Sequence, residues 1–157
     1  MPENALFKSA LSKTMALCSK RELCNYDVMN KLQSWDINKE DTEKIITVLT
    51  KENFINELRY SISFVKDKFN FNKWGKVKII SQLKAKRIST ANIKKAIEEI
   101  DDETYMKMIR NLLTSHKRTI KAKNAYDLKA KLLRYGLSKG FESHILYDIL
   151  GEEPEIH

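Results

Sequence analysis

Apolar residues recur along the chain at spacings of three and four, and alternation of apolar and polar positions is nowhere sustained. Asn-Gly and Asp-Gly pairs, the strongest short hairpin signals, are absent. The pattern predicts helices throughout, and its interruptions place their ends. Ser19 followed by Glu22 reads as a capping box opening a helix. Asn38 or Asp41 can cap another, "NFN" before Lys73 separates two helical runs, and Ser89 and Thr90 open the next. Asp101-Asp102-Glu103 suits a helix N-terminus, where acids meet the helix dipole. Asn124 starts a further helix and "YGLSKG" ends it, with Gly136 at the stop. The result is about nine helices of roughly 10 to 16 residues, joined by short links.

The links align as an internal repeat. With anchors at Leu32, Leu83 and Leu132, the fifth residue onward is Ile37, Ile88 and Leu137. Further along, Ile45, Ile46 and Leu49 match Ala96, Ile97 and Ile100, and then Ile145, Leu146 and Ile149. Tyr26, Val77 and Tyr126 precede the anchors by equal steps, and Trp35 aligns with Lys86 and Tyr135. Each unit reads as a long helix, a middle helix and a short third helix, and neighbours complete one another's cores. The expected fold is all-α: three tandem three-helix repeats in an elongated, curved, solenoid-like array forming a single domain. The units run over about 1–52, 53–100 and 101–151, with an acidic tail at 152–157. The first long helix, residues 1–18, is expected to be the shorter, terminal one. Phe64, Val77, Ile80 and Leu83 are core by spacing.

Composition narrows the class. The 157 residues are 42% hydrophobic and 32% charged, with four glycines and two prolines, which suits a soluble helical protein. No apolar run approaches a membrane span. The opening "MPENALFKSALSKTMALC" lacks the charged start and solid apolar block of a signal peptide, so a cytosolic protein is expected. Cys18 and Cys24 fit no CxxC pattern and read as small apolar residues. His116, His144 and His157 are scattered, with no metal-ligand spacing, and neither a phosphate-binding glycine loop nor a catalytic constellation stands out. The expectation is a protein with no enzymatic activity, metal or cofactor.

Charge adds the most. The net charge is +8. Residues 1–55 carry eight basic and eight acidic groups, residues 56–100 carry eleven against four, and residues 101–157 carry ten against nine. Between Lys68 and Ile97 there are nine basic residues and no acid. A bias this local makes a directed field. Trp74 and Tyr135 sit at helix edges, where an aromatic either packs on the next layer or stacks on a base or partner side chain.

The stretch "NFINELRYSISFVKDKFNFNKWGKVKIISQLKAKRIS" resembles the central repeat of the RecX family, bacterial modulators of the RecA recombinase. It does so through "FINELRY", "FVKDK", a Trp-Gly pair and "KIISQLKAKRI". "CSKRELCNYDVMNKL" is similar to the family's first unit and "LRYGLSKGFESHILYDIL" to its closing repeat. The turn before the central long helix departs from the family's usual Gly-Tyr pattern, reading "ENFIN".

The resemblance implies a non-enzymatic modulator, an inhibitor, that docks along the groove of a RecA–DNA filament. It would restrain ATP hydrolysis, strand exchange and LexA-type coprotease cleavage, in the setting of DNA repair and the SOS response. The partners it implies are the RecA filament and, weakly, single- or double-stranded DNA, with the protein itself a monomer. The filament-facing residues would be Lys66, Lys68, Lys73, Lys76, Lys78, Lys84, Lys86 and Arg87, extended by Lys20 and Arg21. Arg59 either joins them or pairs with Glu57 or another acid. Lys129, Lys131 and Arg134 would carry the surface into the last unit. The rival reading is a stand-alone helical nucleic-acid-binding protein of helix-turn-helix type. Between residues 73 and 87, however, only Gln82 is a base-reading side chain.

Overall fold

The computed structural model describes residues 2–151, so the acidic tail at 152–157 lies outside the described residues. Among these there are nine α-helices and no strand: α1 (Pro2–Lys20), α2 (Asn25–Ser34), α3 (Lys39–Lys51), α4 (Glu57–Asn70), α5 (Lys76–Ala85), α6 (Thr90–Ile97), α7 (Asp102–Lys117), α8 (Ala125–Ser138) and α9 (Ser143–Leu150). No helix among them is long and apolar enough to cross a membrane. The chain divides into two compact units. The first takes in the chain up to Phe64 together with Leu83–Ala96, and the second takes in Val65–Gln82 and the chain from Ile97 onward.

Side-chain caps fix several helix starts. Asn38 Oδ1 accepts the Asp41 N–H at 2.8 Å, Asp101 Oδ2 accepts that of Thr104 at 2.9 Å, and Asn124 Oδ1 accepts that of Asp127 at 2.8 Å. Ser89 Oγ accepts the Asn92 N–H at 3.2 Å. Ser19 does not open a helix. Its hydroxyl donates to the Met15 carbonyl at 2.9 Å and α1 runs on to Lys20, so the cap of α2 is Cys24, whose N–H donates to Asp27 Oδ2 at 3.4 Å. Nor is α1 short: it has 19 residues, against 14 in α4 and 16 in α7.

One turn closes the middle helix of each repeat, α2, α5 and α8. The amides of Ile37, Ile88 and Phe141 donate to the carbonyls of Leu32, Leu83 and Gly136. The residue before each, Asp36, Arg87 or Gly140, has a positive φ and donates to Gln33, Lys84 or Leu137. This is the Schellman pairing of a helix end. It corrects the repeat alignment in the last unit, where the anchor is Gly136, one helical turn beyond Leu132. The buried partner of Ile37 and Ile88 is therefore Phe141, at 1% exposure, while Leu137 is 46% exposed. In this register Trp35 and Lys86 correspond to Lys139 rather than Tyr135. Gly136 lies inside α8 and does not stop it. A Cβ there would come within 2.5 Å of Leu146, and the helix stops instead at Gly140.

The first unit buries Val28, Leu32, Ile45 and Leu49 with Ala10, Cys18, Leu23, Ile37 and Ile55, and Trp35 and Phe54 pack at the margin. In the second unit Ile79, Tyr105, Ile109, Leu113, Leu132, Phe141 and Leu146 are buried, with Tyr105 edge-on to Phe141 at 6.2 Å. Leu83 is buried as expected and Phe64 and Ile80 are half-buried, but Val77 is 52% exposed. The inward position of α5 is Ile79. This phase is set at Gly75, which is pressed against the Gly140 backbone and the Phe141 ring.

Candidate nucleic-acid interface

In the second unit the basic residues gather around Trp74. The amide of Gly75 donates to the Lys139 carbonyl at 2.7 Å, and that of Val77 to the Gly140 carbonyl at 3.0 Å. These bonds bring the start of α5 against the turn after α8. A Cβ on Gly75 would stand 2.2 Å from the Gly140 oxygen, so the Trp-Gly pair of the sequence is a close backbone approach. The approach delivers Lys139 to the same side as Lys78. Lys78 Nζ lies 4.6 Å and Lys68 Nζ 4.9 Å from the Trp74 ring centre, and Lys139 Nζ donates to the Asn72 carbonyl at 2.8 Å. Burial, and then the neighbouring Lys78 charge, push the Lys139 amine below its ordinary pKa. Beside them Lys73 is exposed at φ 58° and Phe71 is 81% exposed.

Lys76 is different. Its backbone N–H donates to the Tyr105 hydroxyl at 2.9 Å, and that hydroxyl donates to the Glu142 carboxylate. Its amine lies over the Tyr105 ring and 3.5 Å from Asp102, and its side chain is only 19% exposed. Burial, and then the bond to Glu142, raise the Tyr105 pKa. Lys76 therefore belongs to the framework of the second unit.

In the first unit Arg59 is occupied. Its Nε donates to Glu22 Oε1 at 2.8 Å and Oε2 at 2.5 Å, and a terminal nitrogen donates to the Asn53 and Phe54 carbonyls at 3.1 and 3.3 Å. The acid is Glu22, not Glu57. Glu57 instead has a buried Oε2 without a partner, and burial first of all raises its pKa. Lys86 pairs with Asp27 at 2.5 Å, and that bond is the main cause of its raised pKa. Lys86 and Arg87 both lie over the Tyr26 ring, at 5.8 and 5.1 Å. Lys20, Arg21 and Lys84 are exposed with no acid within ion-pair distance among the described residues, and the same holds for Lys66 and Lys73 in the second unit.

Of the last-unit residues, Lys131 is held by Asp127 at 3.1 Å and by the Lys121 carbonyl, Arg134 is exposed, and Tyr135 stacks on His116 at 3.7 Å. Lys139 escaped the sequence reading because it lies far from the acid-free stretch, and only the glycine approach brings it in. A second acid-free run also escaped. Residues 104–126 contain six basic residues and no acid, but the three glutamates of 152–157 hide them in a regional sum.

A family model described as RecX, second three-helix domain, matches residues 56–97, a segment holding the expected contact residues from Arg59 to Arg87 but not Lys20, Arg21, Lys129, Lys131 or Arg134. The regulatory protein RecX of Clostridium beijerinckii is 26% identical over 152 residues, an alignment covering 96% of this chain and 70% of the relative. Along nearly its whole length the chain is similar to RecX family proteins. The regulatory protein RecX of Haemophilus influenzae strain PittEE is 24% identical over 91% of this chain and 93% of its own length. The fold is shared with the crystal structure of RecX from Lactobacillus salivarius. That likeness has a TM-score of 0.80 at 21% identity, over 94% of this chain and 96% of that one. A further crystal structure of regulatory protein RecX gives 0.85 at 21% identity, over 95% and 73%. The RecX relatives are named as regulatory proteins, and a regulatory role is the level of function that this likeness supports.

Proposed function

We propose that the chain is a non-enzymatic inhibitor of the RecA recombinase, acting in the cytoplasm as a monomer without a cofactor. It binds in the groove of the RecA–DNA filament and restrains ATP hydrolysis, strand exchange and coprotease activity. The observation that carries this reading is the division of the basic residues. Arg59, Lys76 and Lys86 are neutralised by Glu22, Asp102 and Asp27 and hold the framework. Lys20, Arg21, Lys66, Lys73 and Lys84 have no such acid among the described residues, and Lys68 and Lys78 lie over Trp74 with Lys139 near Lys78. Unneutralised cations favour phosphate and acidic protein surface. Exposed Phe71 supplies a face for a base or a partner side chain. Modulation by occupancy requires no catalytic group.

The test is a titration of RecA ATPase on single-stranded DNA with the protein added below stoichiometry. Inhibition is expected, and an unchanged rate overturns the proposal. The three repeated helix–turn–helix links favour a second reading, a stand-alone nucleic-acid-binding protein of helix-turn-helix type. Tight, sequence-selective binding to DNA without RecA would establish it.

A further inference from the structure

The second unit contains a groove that lies outside the Trp74 cluster. It has a volume of about 550 Å³ between α7, α8 and α9. Its apolar wall is formed by Leu128, Ile149 and Leu150 over buried Leu113 and Leu132, and its rim carries Arg110, Lys117 and Lys129. None of the three cations has an acid within ion-pair distance among the described residues. The nearest acid on α8, Asp127, is engaged by Lys131. Arg110 and Lys117 belong to the acid-free run 104–126, so the field at this rim is positive along the whole of α7 beyond its first turn.

We propose that this groove is a docking site for an acidic, amphipathic peptide segment of a partner protein. Its leucine-type side chains enter the groove and its Asp and Glu residues meet Arg110, Lys117 and Lys129. Two features select this chemistry. An apolar wall of this kind gains nothing from a phosphate backbone, which would have to shed water against leucine and isoleucine. A groove between helices receives aliphatic anchors spaced as on one helix face, and cations on its rim steer and register an acidic partner. The volume falls within the range of sites that bury most of a small ligand.

The probe is a fluorescein-labelled peptide of about twelve residues with leucines at helical spacing and glutamates between them, titrated by anisotropy against the full chain. Saturable binding is expected. It should weaken about tenfold or more in Lys117→Glu/Lys129→Glu, and equally when the peptide leucines become serines. A second measurement does not depend on the variant folding: methyl resonances of Leu128, Ile149 and Leu150 should shift on addition of the leucine peptide. Binding indifferent to both changes, or no methyl shift, overturns the proposal. A dT oligonucleotide that displaces the peptide and loses affinity in the same variant makes the groove a phosphate surface and overturns it too. Peptide affinity that rises about tenfold on deleting residues 152–157 assigns the groove to the chain's own glutamates. A concentration-dependent dimer lost in Leu150→Asp assigns it to a second copy. Either result also ends the proposal.

Discussion

Gly75 shows how one residue sets a surface. Its missing Cβ lets the start of α5 hydrogen-bond to the turn at Lys139–Gly140, and that contact brings Lys139 near Lys78, whose amine lies over Trp74. Gly75→Ala forces an atom into a backbone oxygen. It should cost about 3 kcal/mol in urea unfolding. A cost below about 1 kcal/mol would mean that the approach is not needed. Lys76 and Lys73 lie three residues apart and predict opposite behaviour. Lys76→Glu puts a carboxylate against Asp102 and removes the cation over Tyr105, so the melting temperature should fall. Lys73→Glu combined with Lys84→Glu should weaken RecA inhibition with an unchanged melting temperature. Equal inhibition by this double variant and the parent would remove these residues from the interface. The difference between Lys73 and Lys76 was not legible in the acid-free stretch, because the acid that claims Lys76 is Asp102, two helices further on in α7. Arg59–Glu22 and Lys86–Asp27, 37 and 59 residues apart, were hidden for the same reason.

Helices and their starts were legible because capping is local. Asn38, Asp101 and Asn124 lie three residues before the amides they accept. Asp101 and Asp127 carry pKa values below the ordinary 3.8, chiefly because backbone amides bond their carboxylates. A depressed carboxylate contributes stability that is full above its unfolded value and is lost as pH falls through its lower folded value. Asp101→Asn should therefore narrow the loss of melting temperature between about pH 6 and pH 3, and a parallel pH profile in both proteins would contradict this. Arg59→Ala should destabilise by about 2 kcal/mol, since it releases Glu22 and the Asn53 and Phe54 carbonyls together. Harder to read were helix ends and phase. Gly136 resembles a stop, but serves as the small residue under Leu146, and α8 is one turn longer than α2 in the repeat frame. The apolar pattern also placed Val77 inward, where Ile79 lies instead.

For the whole molecule, the likeness to the RecX family and the all-helical repeat were legible from the motif and the periodicity. The number of charged surfaces was not, because a net charge of +8 sums two acid-free runs with a glutamate-rich tail. Contacts made by exposed lysines are screened over roughly 10 Å at 0.1 M salt, so filament binding should weaken steadily as salt rises. A salt-independent affinity would point to an apolar interface. The most direct test compares the affinity of the protein for a preformed RecA filament on single-stranded DNA with its affinity for the same DNA bare, at one salt concentration. Unneutralised cations directed at a polymer of recombinase and nucleic acid predict tight binding to the filament and weak binding to DNA alone. Equal affinity for both would contradict this account.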